Sequence, residues 1–245
     1  MSLKINKLFI FTLFAALTII DADFASAKTK PIKITDYFNT VKIGGKFKVI
    51  YSVTEDTLKI DAADRVIKNI EFVVEDNQLN VRYKEGESVS AILGGKTPVI
   101  YLPVSDDIEK LILAGATTLE IPAPVIQDSL SFDLFGAAKV IGKIHTEGLS
   151  IYCAGAVNAT ITGYSKNVSI KIDGASRVVM GEGFGCEYCN LNINGAGIVR
   201  VNCTEKISGQ ISGTSVVKYL GEPRLTIRKN GLASISPLYY WNILH

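Results

Sequence analysis

The stretch Asn192–Val201, NINGAGIVRV, decides how this chain is read. It begins and ends like a β-strand, with polar and apolar residues alternating, but carries Gly-Ala-Gly at its centre. Glycine inside a strand weakens it and marks a bulge, a sharp bend or a close backbone approach. The motif recurs. It stands in LILAGATTLEI from Leu111, FDLFGAAKVIG from Phe132, IYCAGAVNATI from Ile151 and IKIDGASRVVM from Ile170. After LNINGAGIVRV from Leu191 come GQISGTSVVKY from Gly209 and IRKNGLASISP from Ile227. The central glycines are Gly115, Gly136, Gly155, Gly174, Gly195, Gly213 and Gly231, at successive spacings of 21, 19, 19, 21, 18 and 18 residues.

Aligned on these glycines, the repeats form columns. Two residues before the glycine stand Leu113, Leu134, Cys153, Ile172, Ile193, Ile211 and Lys229; four after it stand Leu119, Val140, Ala159, Val178, Val199, Val217 and Ile235. The intervening columns are mixed or polar, as at Asp133, Lys171, Asn192, Gln210 and Arg228. Alternation with period two on both sides of the glycine predicts two short strands per repeat, each with one buried face. The glycine is then a corner, where its freedom of backbone angle is needed. The small residue that follows it, Ala116, Ala137, Ala156, Ala175 or Ala196, is expected to fit where coils stack closely.

Repeats of this length and pattern predict an all-β fold, a parallel β-helix or solenoid of about seven Gly-Ala-cornered coils. In-register apolar columns favour it over an antiparallel sandwich or barrel. Each inward Ile or Leu contributes roughly 1.5–3 kcal/mol, so the core accumulates coil by coil. Late in the chain the column before the glycine turns polar, at Asp173, Asn194, Ser212 and Asn230. Such side chains are expected to hydrogen-bond from coil to coil as a ladder.

The solenoid is assigned to residues 106–238, after an N-terminal β region at 28–105. In that region TVKIGGKFKVIYSV (Thr40–Val53) predicts two strand segments around Gly44-Gly45, and NIEFVVEDNQLNVRY (Asn69–Tyr83) a hairpin turning at Glu75 to Gln78. Asp64 to Lys68 fits one short helical turn, and Gly86–Thr97 a loop. Residues 239–245 contain Tyr239, Tyr240 and Trp241 and are expected to form an aromatic cap or an oligomer patch. Residues 1–27 have the form of a signal peptide: Lys4 and Lys7, an uncharged run from Leu8 to Ile20, then Ala25-Ser26-Ala27. A run of thirteen residues is too short to span a bilayer comfortably, so an exported chain with no membrane span after cleavage is expected.

The bulk numbers exclude several classes. With 26 Lys+Arg against 24 Asp+Glu, the chain lacks a strongly basic nucleic-acid surface. Hydrophobic content of 47% excludes a largely disordered polymer.

At this point the chain resembles the auto-transporter adhesin "head GIN domain" family of secreted bacterial proteins. The resemblance rests on FNTVKIGGKFKVIY, DRVIKNIEFVVEDNQLNVRYK, PVIYLP leading into LILAGAT, the Gly-Ala coils and VVKYLGEP (Val216–Pro223). It implies a β-helical fold and an envelope or surface location, and brings no catalytic residues with it. The flat repetitive faces of such a solenoid suit a glycan or an envelope protein as partner, with a homo-oligomer as the other reading.

Motif chemistry is sparse. SAILGGKT (Ser90–Thr97) misses a phosphate-binding loop because Ser90 stands in place of the first glycine and Pro98 in place of a helix. GEGFG (Gly181–Gly185) lacks the strand–helix setting of a dinucleotide site and reads as a connection between coils. The sequons at Asn158, Asn167 and Asn202 carry no weight unless the host glycosylates them. Outward charges, Asp133, Lys139, Lys171, Arg177, Arg200 and Lys218, are scattered, and no column stacks carboxylates beside a base. No catalytic residue, metal site or cofactor is therefore assigned. Among the cysteines, Cys153 occupies an inward column. Cys186 and Cys189 form C-x-x-C in the connection between two coils, and Cys203 ends the next. In an oxidising compartment a bridge Cys186–Cys189 or Cys186–Cys203 would pin that connection.

Overall fold

The computed structural model describes residues 28–85 and 96–238. The signal segment, most of the Gly86–Thr97 loop and the Tyr239-Tyr240-Trp241 tail lie outside these residues. The described strands form one continuous sheet wound into stacked parallel coils, an all-β solenoid of about seven turns. From the strand Thr118–Gly136 onward, adjacent coils pair in parallel, with Gly155 beside Gly136 and Gly174 beside Gly155. The inward columns form one core: Leu134, Cys153, Ile172 and Ile211 are buried on one wall, and Leu119, Val140, Val178 and Val217 on the other. Lys229 in the last coil is exposed, so the inward column ends there.

Every corner glycine lies in the left-handed region of backbone space, with φ from +72° at Gly231 to +135° at Gly155. The second reason for glycine is contact. A Cβ added to Gly155 would lie 2.5 Å from the carbonyl oxygen of Gly136 in the coil before. That oxygen accepts a hydrogen bond from the amide of Ala156 at 2.8 Å, and the carbonyl of Gly155 accepts from Ala175 at 3.1 Å. The alanine after the glycine has a different place from the one expected. Ala116, Ala137, Ala156, Ala175 and Ala196 are all exposed. The buried small residue lies one position later, at Thr117, Ala138, Ser176 and Ser215. Three of these donate a hydroxyl to an earlier corner: Thr117 to the Gly45 carbonyl, Ser176 to Gly155 and Ser215 to Gly195, each at 3.0 Å.

Each coil has a second corner, and in two of them the strand runs through it without a break. Lys139–Gly155 and Asn158–Gly174 are single bent strands of 17 residues each, where the repeat pattern predicts two short ones. The inside of this corner is lined by a column of small polar groups, Thr146, Ser165, Cys186 and Cys203, each beside the next in register. Thr146 and Ser165 share a buried hydrogen bond of 3.1 Å between their hydroxyls. Cys186 donates its thiol to the Asn202 carbonyl at 3.3 Å, and Cys203 to that of Glu187 at 3.1 Å. A bend turns carbonyls into the core, and these side chains satisfy them. The unequal repeat lengths are absorbed locally. Ile121 pairs with Gly142 and Val125 with Ile144, so Pro122-Ala123-Pro124 bulges opposite Lys143.

The N-terminal region joins the same stack. Thr40–Gly44 and Lys48–Ser52 lie against Lys110–Gly115 and the start of Thr118–Gly136, making Gly45 (φ +128°) a further corner below Gly115. Beneath it, Gln78–Tyr83 and Val99–Pro103 pair in parallel with these two segments. The stack then stops in antiparallel strands: Ile70–Glu75 against Gln78–Tyr83, and Lys59–Ala62 against both Val99–Pro103 and Lys28–Pro31. This covers a parallel edge that would otherwise invite pairing with another chain. The hairpin turns at Asp76 and Asn77, both with positive φ, and Asp64–Ile67 forms the short helix.

Two outcomes follow for stability. Gly174→Val, placed at φ +133° with a Cβ 3.0 Å from the Gly155 carbonyl oxygen, is expected to destabilise the fold by at least about 2 kcal/mol. Lys171→Val loses an exposed cation–π contact worth about 0.5–1 kcal/mol. Equal melting temperatures for the two would refute the corner. Burial pushes the Cys153 thiol and the Tyr51 phenol each up to about 12. The folded state then keeps these protons longer than the unfolded chain does, so stability falls as pH rises from about 9 toward 12. Cys153→Ala should flatten that fall in a thermal melt series; an identical slope would contradict it.

Candidate functional site

The outward columns before each corner glycine build a groove across the coils. Five residues before the glycine stand Lys110, Ser131, Ser150, Ser169, Asn190 and Ser208, each beside the next in parallel register. Seven before it stand Ser129, Gly148, Asn167, Tyr188 and Lys206, also in register. Between the two rows run the strand segments that carry Leu130, Leu149, Val168 and Cys189. The resulting groove has a volume of about 750 Å³. Its two rows consist mostly of hydroxyl and amide side chains, with Lys110 and Lys206 toward opposite ends of the stack. Asn190 donates to the Ser208 hydroxyl at 3.2 Å across neighbouring coils. Rungs of this kind repeat at the spacing of adjacent strands, about 4.8 Å, because parallel pairing places equivalent residues side by side.

Beside the groove a third row carries Asp133, Tyr152, Lys171, Asn192 and Gln210. The Tyr152 ring meets Phe135 edge to face with centroids 5.7 Å apart, and Lys171 Nζ lies 4.8 Å from its centroid. Asp133 pairs with Lys110, and Lys171 with Asp173 at 3.5 Å. In the column just before the glycine Ser212 donates to Asn194 Oδ1 at 3.3 Å, one rung of the expected ladder, while Asp173 pairs with Lys171 and Asn230 Oδ1 accepts from the Gly231 amide at 3.0 Å.

A second groove of about 710 Å³ opens at the second corner. It gathers Asp106, Glu109, Asp128 and Glu147 around His145, with Tyr164 and Ile126 on its wall. Reading the columns alone finds no such gathering, because these residues come from three successive coils and the segment that enters the stack. All four carboxylates are exposed, and among the described residues none forms an ion pair with His145. Tyr164 donates its hydroxyl to Glu187 at 2.9 Å, and this bond to a carboxylate raises the phenol above its ordinary range. General acid–base work needs a positioned acid or base within hydrogen-bond reach of its proton; this groove presents a negative rim. Among the described residues no group of three or more His, Cys, Asp or Glu is arranged to hold a metal ion.

The cysteines are placed differently from the connection the sequence predicts. The turn is confined to Glu182 and Gly183, while Cys186 and Cys189 lie inside the strand Phe184–Gly195 with buried side chains. All four cysteines are buried thiols.

A sheet wound into stacked coils with a recurring glycine corner defines a parallel β-solenoid, a class in which each repeat touches only its neighbours. Residues 37–223 match the family described as "Putative auto-transporter adhesin, head GIN domain", and the chain belongs to that family. Among solved structures, a "putative adhesin" from Bacteroides fragilis is similar over 86% of this chain and 96% of its own, with a TM-score of 0.77 at 20% identity. A "putative lipid binding protein" from Parabacteroides distasonis is similar over 88% and 98%, with a TM-score of 0.65 at 16% identity. A "putative adhesin" from Parabacteroides merdae gives 0.59 at 16% identity over the same shares. At these identities the likeness concerns the fold. No curated protein matches the sequence. Among the described residues no helix is long and apolar enough to cross a membrane.

Proposed function

We propose that this chain is an exported, non-catalytic protein of the cell envelope that works by binding, and that its ligand is a glycan held along the serine–asparagine groove. The observation that carries the reading is the groove itself: two parallel rows of hydroxyl and amide groups repeated once per coil, beside the Tyr152–Phe135 aromatic pair. Sugars offer hydroxyls at a recurring spacing and an apolar ring face. A ladder of donors and acceptors next to an aromatic surface meets both. The rigid sheet adds little ordering cost on binding, since its rungs are fixed by the backbone. Membership in a family of adhesin heads supports an envelope or extracellular location.

A second reading is a structural or assembly component whose partner is its own kind. It is favoured by the last coil, where Leu232 is 82% exposed and Leu225 41%. A polysaccharide-cleaving β-helix enzyme is the third. The gathering around His145 is the place to look for it.

The test of the first reading is retention of the exported protein on immobilised polysaccharides across a glycan array. Ser150→Arg lays a long side chain along the groove from an exposed position and should reduce retention at least tenfold while leaving the melting temperature unchanged. Equal retention would overturn the groove as the site. Reducing ends released from the bound polysaccharide would overturn the non-catalytic reading. Protease shaving of intact cells then separates a surface location, where the protein is lost, from a periplasmic one, where it is protected.

A further inference from the structure

We propose that Cys186 and Cys203 are a disulfide site that staples two neighbouring coils, and that Cys189 remains a thiol. The inference rests on the reading that the chain is exported, because an oxidising compartment is where such a bridge persists.

The argument starts from register. Cys186 lies directly beside Cys203 in the parallel pairing of Phe184–Gly195 with Ile198–Gly213. Adjacent parallel strands hold partner Cα atoms about 4.8 Å apart, inside the window of roughly 4.4–6.8 Å that a disulfide spans. Both side chains point into the second corner and are almost fully buried, Cys186 at 1% and Cys203 at 0% exposure. In the same column two steps earlier, the Thr146 and Ser165 hydroxyls approach to 3.1 Å. The column thus brings side-chain tips from successive coils together, and at these two rungs the tips are sulfur.

The alternative within the C-x-x-C is disfavoured by the strand. Between Cys186 and Cys189, Tyr188 is paired on both sides, with Asn167 in one coil and Lys206 in the other. Closing a bridge over so short a segment would buckle a strand that is regularly paired with the coil before and paired again at Tyr188, past a bulge, with the coil after. The register neighbours of Cys189 are Val168 and Ile207, so its one thiol contact is with Cys186 along the same strand, where the pairing of Tyr188 opposes closure.

The timing of closure follows from burial. Contact with the Cys189 thiol, then burial, pushes the Cys186 thiol up against an opposing contact with Cys203. Contact with Cys186, then burial, pushes the Cys203 thiol up, and both lie well above the usual cysteine range. A protonated, enclosed thiol is a poor nucleophile. The bridge therefore forms while the coils are being laid down, by exchange with a disulfide oxidant of the export compartment. Each cysteine gives up its proton, the pair gives up two electrons to form one S–S bond, and the oxidant's disulfide leaves as two thiols. In the finished fold the bond is shielded from reduction.

The experiment has two arms. The full chain is purified from its export compartment without reductant, unfolded, alkylated with N-ethylmaleimide and mapped by mass spectrometry. In parallel, reduced protein is unfolded in urea, refolded with glutathione and glutathione disulfide, and mapped in the same way. The expected result in both is two alkylated cysteines, Cys153 and Cys189, and a linked peptide joining Cys186 to Cys203. Four alkylated cysteines after refolding, or a linked Cys186–Cys189 peptide, overturn the proposal. A bridge in the refolded protein with four thiols in the cell-derived protein upholds the pairing and overturns the export reading. Cys186→Ser with Cys203→Ser restores the hydroxyls found at Ser165 and Thr146, so it should fold. Its melting temperature should match that of the reduced wild type and lie below the oxidised protein by about 5 °C. A melting temperature equal to that of the oxidised protein would show that the bond stabilises nothing.

Discussion

From Gly115 to Gly213 the carbonyl of each corner glycine accepts a hydrogen bond from the amide of the residue that follows the next coil's glycine. The whole stack depends on this approach. It fixes the vertical step between coils and brings the backbones too close for a Cβ. It also requires the left-handed backbone angle that glycine adopts without penalty. Once the corner is fixed, register is fixed. Every inward column then lines up as one core, and every outward column as a row of equivalent side chains.

The second corner is solved by different chemistry. In two coils its strands run on through the bend, and its inward-facing carbonyls are met by the Ser165 hydroxyl, which accepts from Thr146, and by the thiols of Cys186 and Cys203. Cys186 and Cys203 thus serve as hydrogen-bond donors in the same way as Thr146 and Ser165. Their adjacency makes them eligible for a bond the hydroxyls cannot form. The same parallel register that aligns the core also aligns the serines and asparagines of the groove. Core and candidate site are two consequences of one geometric rule.

Winding one sheet into coils leaves two open ends, and the N-terminal end is closed by reversing direction. Antiparallel strands on Gln78–Tyr83 and Val99–Pro103 end the parallel ladder, and Lys59–Ala62 and Lys28–Pro31 extend that reversed edge. The chain therefore does not climb the stack in order. Residues 40–52 lie between the coil formed by 78–103 and the one that begins at Lys110.

The sequence by itself determined the solenoid, because its repeat is periodic and local. Glycines recur every 18 to 21 residues, with apolar columns two before and four after them, and these express the corner and the core directly. The row of Ser131, Ser150, Ser169, Asn190 and Ser208 was legible in the same alignment, five residues before each glycine, for a reader who follows the outward columns as closely as the inward ones. Tertiary structure alone decided three things. It revealed Gly45 as a further corner, since that coil lacks the alanine and is separated from its neighbour by a long excursion. It placed the buried small residue after the alanine, because the alanine points outward at the turn. And it gathered Asp106, Glu109, Asp128 and Glu147 near His145, residues whose proximity comes from coil stacking and leaves no mark in spacing along the chain.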